Sequence, residues 1–400
     1  MTHPDTTPGA DIFARLRAAT DTDAMFTQLI ESLTSRRRWH ALFDARLLEA
    51  RHALGLPLSG DLATLELAPE VRDRLDERSL AACREVGWPL LDEGQVGAAW
   101  MYLRAAAAPA EVATRLAALA DTILGPAAAG GAIPDGTIPD DEETSRQLQE
   151  IVGVALWEGV DPAVGLSVVL RTQGTCNAIT AYEQAVARLP ARRQAPAAAV
   201  LVAHLHGEID RAGGFAGGHG VHVDVSHLQS VLRIARVCTD ETTLRAAHAL
   251  ADYACRIPPD FVYPGEPPFE DMGEASRHWY AAQLGIDVEP ALAYFRGKML
   301  TSDPDVAGTL PTDALVVLLA RVGRPGEALR VALERPRDDM LTAGSGGMPS
   351  VMQAAGMLPS LVELAAAAGS WDLLEQACID RGDEITFAAT LAAADRHHSG

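Results

Sequence analysis

The chain has 400 residues and is 48% hydrophobic but only 5% aromatic, with Ala, Leu and Val supplying most of the apolar positions. Helix formers in such excess, without the aromatic and isoleucine runs of a sheet protein, point to an all-helical chain with ample core. A formal net charge of -21 and the lack of 18 consecutive apolar residues argue against a nucleic-acid groove and against a membrane-spanning helix.

Residues 1–10 carry no basic end leading into an apolar segment, so they are expected as a disordered tail rather than a signal peptide. The five cysteines are odd in number and form no C-x-x-C pair. That pattern fits a reduced, cytoplasmic setting. Arg36, Arg37 and Arg38 read as a solvated helix face.

From residue 11 the apolar spacing is 3.6. Phe13, Leu16, Ala19, Met25, Phe26, Leu29, Ile30 and Leu33 predict one helix, and Trp39 to Ala50 a second, stopped by Gly55 and Pro57. Leu80–Trp88 and Leu90–Leu103 form a helical hairpin in which small residues permit close approach. Residues 125–143, rich in Gly and Pro, read as a linker between an N-terminal array at 11–124 and a larger one at 144–395. Thr144 or Ser145 is the expected cap of the next helix, and Asp161-Pro162 caps and opens another. Gly174–Asn177 is expected as a turn, with Asn177 capping and Cys176 as a buried, inert thiol. Two C-terminal stretches, 318–333 and 364–378, share one frame: helix, Gly, short turn, helix. Their turn glycines are Gly323 and Gly369. Residues 396–400 are expected to fray.

The chemistry-bearing residues crowd between 204 and 271. Five of the twelve histidines fall between His204 and His227. On a helical wheel, Leu201, Leu205, Ile209 and Ala212 form the buried face. His204 and Glu208 sit together on one edge of it and His206 on the other. A His–Glu pair four apart suits metal ligation or base orientation, and is equally an ordinary surface pair. Residues 221–227 alternate, so His222 and Asp224 share a side of an extended entry. Ser226 with Gln229 reads as a capping box, which puts His227 at the first helical position. Two histidines and one aspartate within six residues have the composition of a 2-His-1-carboxylate iron site, or of a zinc or manganese site. They are equally compatible with a local cap and two satisfied polar rings. The loop Tyr263–Asp271 is stiffened by Pro264, Pro267 and Pro268, with Gly265 supplying a positive φ. It offers Glu270 and Asp271 as positioned carboxylates, or as an acidic helix entry. The glycine-rich loop 213–220 follows no strand and lacks the P-loop lysine, which excludes a phosphate cradle.

The hairpins at 80–105, 310–335 and 360–380 resemble the tetratricopeptide-like α-solenoid superfamily over about half the chain. The central H-x-D-x-x-H-L at 222–228 and Y-P-G-E-P-P-F-E-D at 263–271 are similar to helical-repeat proteins of high-GC bacteria. The resemblance implies an all-α fold of stacked helical hairpins and supplies no reaction.

Two functions follow from these residues. One is a metal-dependent enzyme, hydrolase or oxygenase, acting on a small-molecule substrate. It would hold Fe, Zn or Mn through His222, His227, Asp224 and Glu208, with His204, Glu270 and Asp271 as acid–base or orienting groups. The other is a non-catalytic scaffold that binds a peptide or partner protein.

Overall fold

A computed structural model describes residues 10–60, 66–125, 141–216, 221–265, 267–334 and 351–399. Among these the regular structure is helical throughout, in stacked hairpins, and no strand occurs. Residues 1–9 of the expected 1–10 tail, the loop tip with His219 and most of the 125–143 segment lie outside the described residues, while Ala10 opens the first helix. Two compact units result among the described residues: those up to Gly125 together with 141–165, and those from Leu166 onward.

The first unit contains α1 (Ala10–Arg17), α2 (Thr22–Ser35), α3 (Trp39–Ala53), α4 (Pro69–Asp92), α5 (Val96–Ala106), α6 (Pro109–Leu124) and α7 (Glu142–Val152), which runs into a π turn at Gly153–Trp157. The sequence pattern predicts one helix before residue 35. The structure has two, because Asp21 caps α2 by accepting from the Ala24 N–H at 2.7 Å. Helix α7 likewise starts earlier than predicted. Asp141 accepts from the Thr144 N–H at 2.8 Å and replaces Thr144 or Ser145 as the cap. A carboxylate at a helix start gains from the dipole as well as the hydrogen bond. Phe26, Ile30, Leu33, Leu42, Ala45 and Val86 make the core of α2, α3 and α4. Arg46 on α3 grips Glu85 of α4 through two nitrogens, each at 2.7 Å.

The second unit takes α8 (Pro162–Ala185) from Leu166 on, then α9 (Ala191–Arg211), α10 (Val225–Ile234), α11 (Glu241–Ala254), α12 (Met272–Gln283) and α13 (Val288–Thr301). It continues with the short α14 (Pro304–Ala307), α15 (Leu310–Arg321), α16 (Pro325–Leu333), the short α17 (Val351–Ala354), α18 (Leu361–Ala368), α19 (Trp371–Arg381) and α20 (Glu384–Ser399). Successive helices α11, α12 and α13 pack on one another, and α15 on α13 and α16. The central stretch of α15 is apolar on every face, and Ala314 to Leu319 are each at most 1% exposed, as befits a helix with neighbours on every side. The hairpin glycines stand as predicted: Gly323 ends α15 at φ 79° and Gly369 ends α18 at φ 61°, a conformation that favours glycine.

Candidate functional site

Helix α8 breaks at Gly174 (φ 82°, ψ 177°), where a turn is predicted. The chain then resumes as helix, so Asn177 lies inside it. Its Nδ2 donates to the Gln173 carbonyl at 2.9 Å, and it does not cap. Cys176 is exposed, not buried: the break turns it to solvent. Thr175 points the other way, towards α9.

Leu201, Leu205 and Ile209 are buried, and Ala212, the fourth expected member of that face, is exposed at the helix end. His204 is 6% exposed at the edge of this face. Its Nε2 lies 3.3 Å from Glu208 Oε1 and 3.2 Å from Thr175 Oγ1. Its Nδ1 is buried without a hydrogen-bond partner among the described residues. The carboxylate and the hydroxyl therefore meet the same ring nitrogen. A nucleophile–base–orienter relay needs them on opposite nitrogens, one to surrender a proton and one to hold the ring. What the geometry provides is a tie between α9 and the segment after Gly174. His204 holds the Glu208 carboxyl below its ordinary value, chiefly through this hydrogen bond, and the His227 charge adds to the effect.

The remaining residues of the central stretch go to different partners. Asp224, not Ser226, is the cap of α10. It accepts from the Ser226 N–H at 2.8 Å, the Ser226 hydroxyl at 2.6 Å and the His227 N–H at 3.4 Å. Its two donors at Ser226 keep the carboxyl ionised to lower pH than usual. His227 consequently sits at the third helical position, not the first. A carboxylate competes better than a hydroxyl for the unpaired N–H groups at a helix start, and the capping-box pattern did not register this.

His222 is engaged by Tyr253 of α11. Its backbone N–H donates to Tyr253 Oη at 2.8 Å, and its ring meets Tyr253 edge-on, centroids 6.2 Å apart. Phe215 meets the same tyrosine edge-on and lies against His206 at a tilt, centroids 4.7 Å apart. The run His206–Phe215–Tyr253–His222 thus bridges α9, α11 and the entry to α10, a role for His206 and Tyr253 that the wheel does not reveal.

In the 263–271 loop, Asp271 caps α12 by accepting from the Glu274 N–H at 2.8 Å. Glu270 pairs with Lys298 of α13 at 3.1 Å. The Glu270 carboxyl lies below its ordinary value through its own backbone N–H first and Lys298 second. Gly265 is not in the left-handed region. Glycine is needed there because a Cβ would stand 2.6 Å from the Phe269 carbonyl oxygen, while the Gly265 N–H closes the loop onto Glu270 O at 2.8 Å. The Pro267–Pro268 bond is cis.

Among the described residues, then, no group of three or more His, Cys, Asp or Glu side chains is gathered as a metal cradle. His222 and Asp224 are turned to separate partners. His204 and Glu208 stay together, His227 lends its backbone N–H to Asp224, and Glu270 and Asp271 each serve a helix of the second unit. Comparison with protein families, with curated proteins and with solved structures finds no match.

Proposed function

We propose that the chain is a helical-repeat scaffold, of tetratricopeptide-like build, whose second unit binds a partner protein. The use of the central polar residues supports this most: Asp224 and Asp271 cap helices, Glu270 pairs with Lys298, and His204 ties α9 to Thr175. Beside them Val221, Phe261 and Tyr263 stand 38%, 58% and 67% exposed. Their backbone is held, because Gln229 Nε2 donates to the Tyr263 carbonyl at 2.6 Å and the residue after Val221 is bonded to Tyr253. Aromatic side chains on a fixed backbone lose little freedom when covered, and they supply much of the energy of protein interfaces. Asp260 adjoins Phe261, and the chain is acidic overall. The fitting partner is a segment with apolar anchors set between basic residues.

The test is the double variant Phe261→Ser, Tyr263→Ser. Cross-linking in the cell of origin identifies the partner of the wild-type chain, and binding is then measured with purified components. A loss of roughly tenfold or more in affinity is expected, the scale of hot-spot removal. Equal affinity for both forms overturns the proposal.

One observation favours a second function. The buried His204 holds the Glu208 carboxylate at 3.3 Å, an imidazole–carboxylate pair of the kind metal sites use. A divalent Fe, Zn or Mn held there, with a small-molecule substrate, is the metal-enzyme alternative. Stoichiometric metal in the purified chain, lost in the pair His204→Ala, His227→Ala, would establish it. Absence of metal together with an unchanged thermal midpoint in Zn, Mn or Fe removes it.

A further inference from the structure

Arg236, in the 3-10 turn that ends α10, is 9% exposed and so more than nine-tenths buried. Among the described residues no carboxylate lies within ion-pair reach of it. Its Nε has no hydrogen-bond partner, and one terminal nitrogen rests on the Met272 Sδ at 3.4 Å. The guanidinium carbon stands 5.3 Å from the centre of the Phe269 ring. A thioether and an aromatic face are weak replacements for water around a cation. Removing an unpaired guanidinium from water is costly enough that buried ions ordinarily acquire a counter-charge. Burial accordingly presses its pKa downwards, and Arg233, a like charge, adds to this.

Two further donors near this cation lack partners. Ser276 Oγ is fully buried and unbonded, and Tyr294 Oη is buried and unbonded. Ser276 lies one turn beyond Met272 and one turn before Tyr280. Met272 touches Arg236, and the Tyr280 hydroxyl donates to the Leu232 carbonyl at 2.5 Å. The serine therefore sits on the stripe of α12 that faces residues 232–236. Tyr294 on α13 joins the same corner through rings: Phe295 meets Tyr294 edge-on at 5.3 Å and Phe269, which lies under the Arg236 guanidinium, edge-on at 5.5 Å. One positive charge from the turn after α10 and two hydroxyl donors from α12 and α13 form an acceptor-hungry cluster.

We propose that Arg236 is the receptor for a small oxyanion, a carboxylate or phosphate of a low-molecular-weight ligand, bound with Ser276 and Tyr294 behind Phe269. A planar guanidinium with a free Nε edge suits two-point recognition of such a group. The assignment is independent of partner binding at Phe261 and Tyr263, and the two fail separately.

The experiment is thermal unfolding of the full chain in inorganic phosphate, in succinate and in NaCl at matched ionic strength. Wild type is expected to show a saturable rise in midpoint of roughly 2–4 °C in phosphate or succinate over NaCl, the size of ligand stabilisation at modest saturation. Which of the two salts acts identifies the oxyanion. Arg236→Met, which keeps the length and removes the charge, should be at least as stable as wild type in NaCl and should not respond to either anion. Ser276→Ala with Tyr294→Phe keeps the charge and should weaken the response. No rise in wild type, an equal rise in NaCl, or a full response in Arg236→Met each overturns the proposal. If Arg236→Met fails to fold, an undiminished response in the Ser276→Ala, Tyr294→Phe form overturns it instead.

Discussion

Arg236, buried, and Arg321, half-buried, are two guanidiniums of the same unit, and they are treated in opposite ways. Arg321 Nη1 donates to the Arg236 carbonyl at 2.8 Å, the Cys238 carbonyl at 3.3 Å and Gln283 Oε1 at 3.1 Å, and its carbon stands 5.5 Å from the Trp279 ring centre. Those carbonyls belong to the end of the α10 segment, where unpaired acceptors and the negative end of the dipole favour a cation. Arg321 is thus complete within the chain. Arg236, whose own carbonyl helps to satisfy Arg321, has only a thioether and a ring for its side chain. The difference teaches that burial alone does not mark a site. What marks it is a buried charge whose donors the fold has left unanswered.

Mutations separate the two corners, and the largest effect belongs to the shared support. Trp279→Ala removes a ring that is 1% exposed, packs on Phe295 and lies under Arg321. A loss of about 3–5 kcal/mol is expected in urea unfolding. Arg321→Met strands the Arg236 and Cys238 carbonyls and Gln283 Oε1, and should cost about 2–3 kcal/mol. Arg236→Met strands no acceptor, so the same measurement should give a change of about 0–1 kcal/mol, in the stabilising direction. Equal losses for the two arginine variants would erase the contrast.

Smaller effects sharpen it. Asp271→Ala removes the cap of α12 one residue before Met272, and about 1 kcal/mol should be lost. The mildest effect depends on pH. The Glu208 carboxyl titrates below its ordinary 4.5 in the folded chain. A depressed carboxyl stabilises the fold above its unfolded value, and this contribution disappears as pH falls through the folded value. Glu208→Gln should therefore flatten the stability curve below about pH 4.5 and leave the neutral region within about 1 kcal/mol of wild type. An unaltered acid limb would mean that the His204 tie contributes nothing.

Much of the fold was legible because helix signals are local. The 3.6 spacing, Asp161-Pro162, and the turn glycines Gly323 and Gly369 depend only on residues within a few positions. Asp161 accepts from the Ala163 and Val164 N–H groups as expected. Asp141 reads in sequence as the end of the linker because Thr144 and Ser145 carry cap character of their own, and Asp224 reads equally as a local cap or a ligand. The central stretch was legible as a pair and no further. His204 and Glu208 meet as the wheel requires, whereas the partners of His222, Tyr253 and Glu270 come from other helices and leave no trace in spacing. Arg236 carried no signal at all. It looks like any surface arginine near a helix end until the packing of α12 and α13 removes it from water.

Helix α15 has a further consequence. Its amides from Ala314 to Leu319 are shielded on every side, so solvent reaches them only when the unit as a whole opens. Their hydrogen-exchange rates form a built-in gauge of global opening of the second unit. Amides near Val221 and Tyr263 exchange through local openings and report a different free energy. Following both sets in one experiment separates a ligand or partner that merely covers a loop from one that stabilises the entire unit.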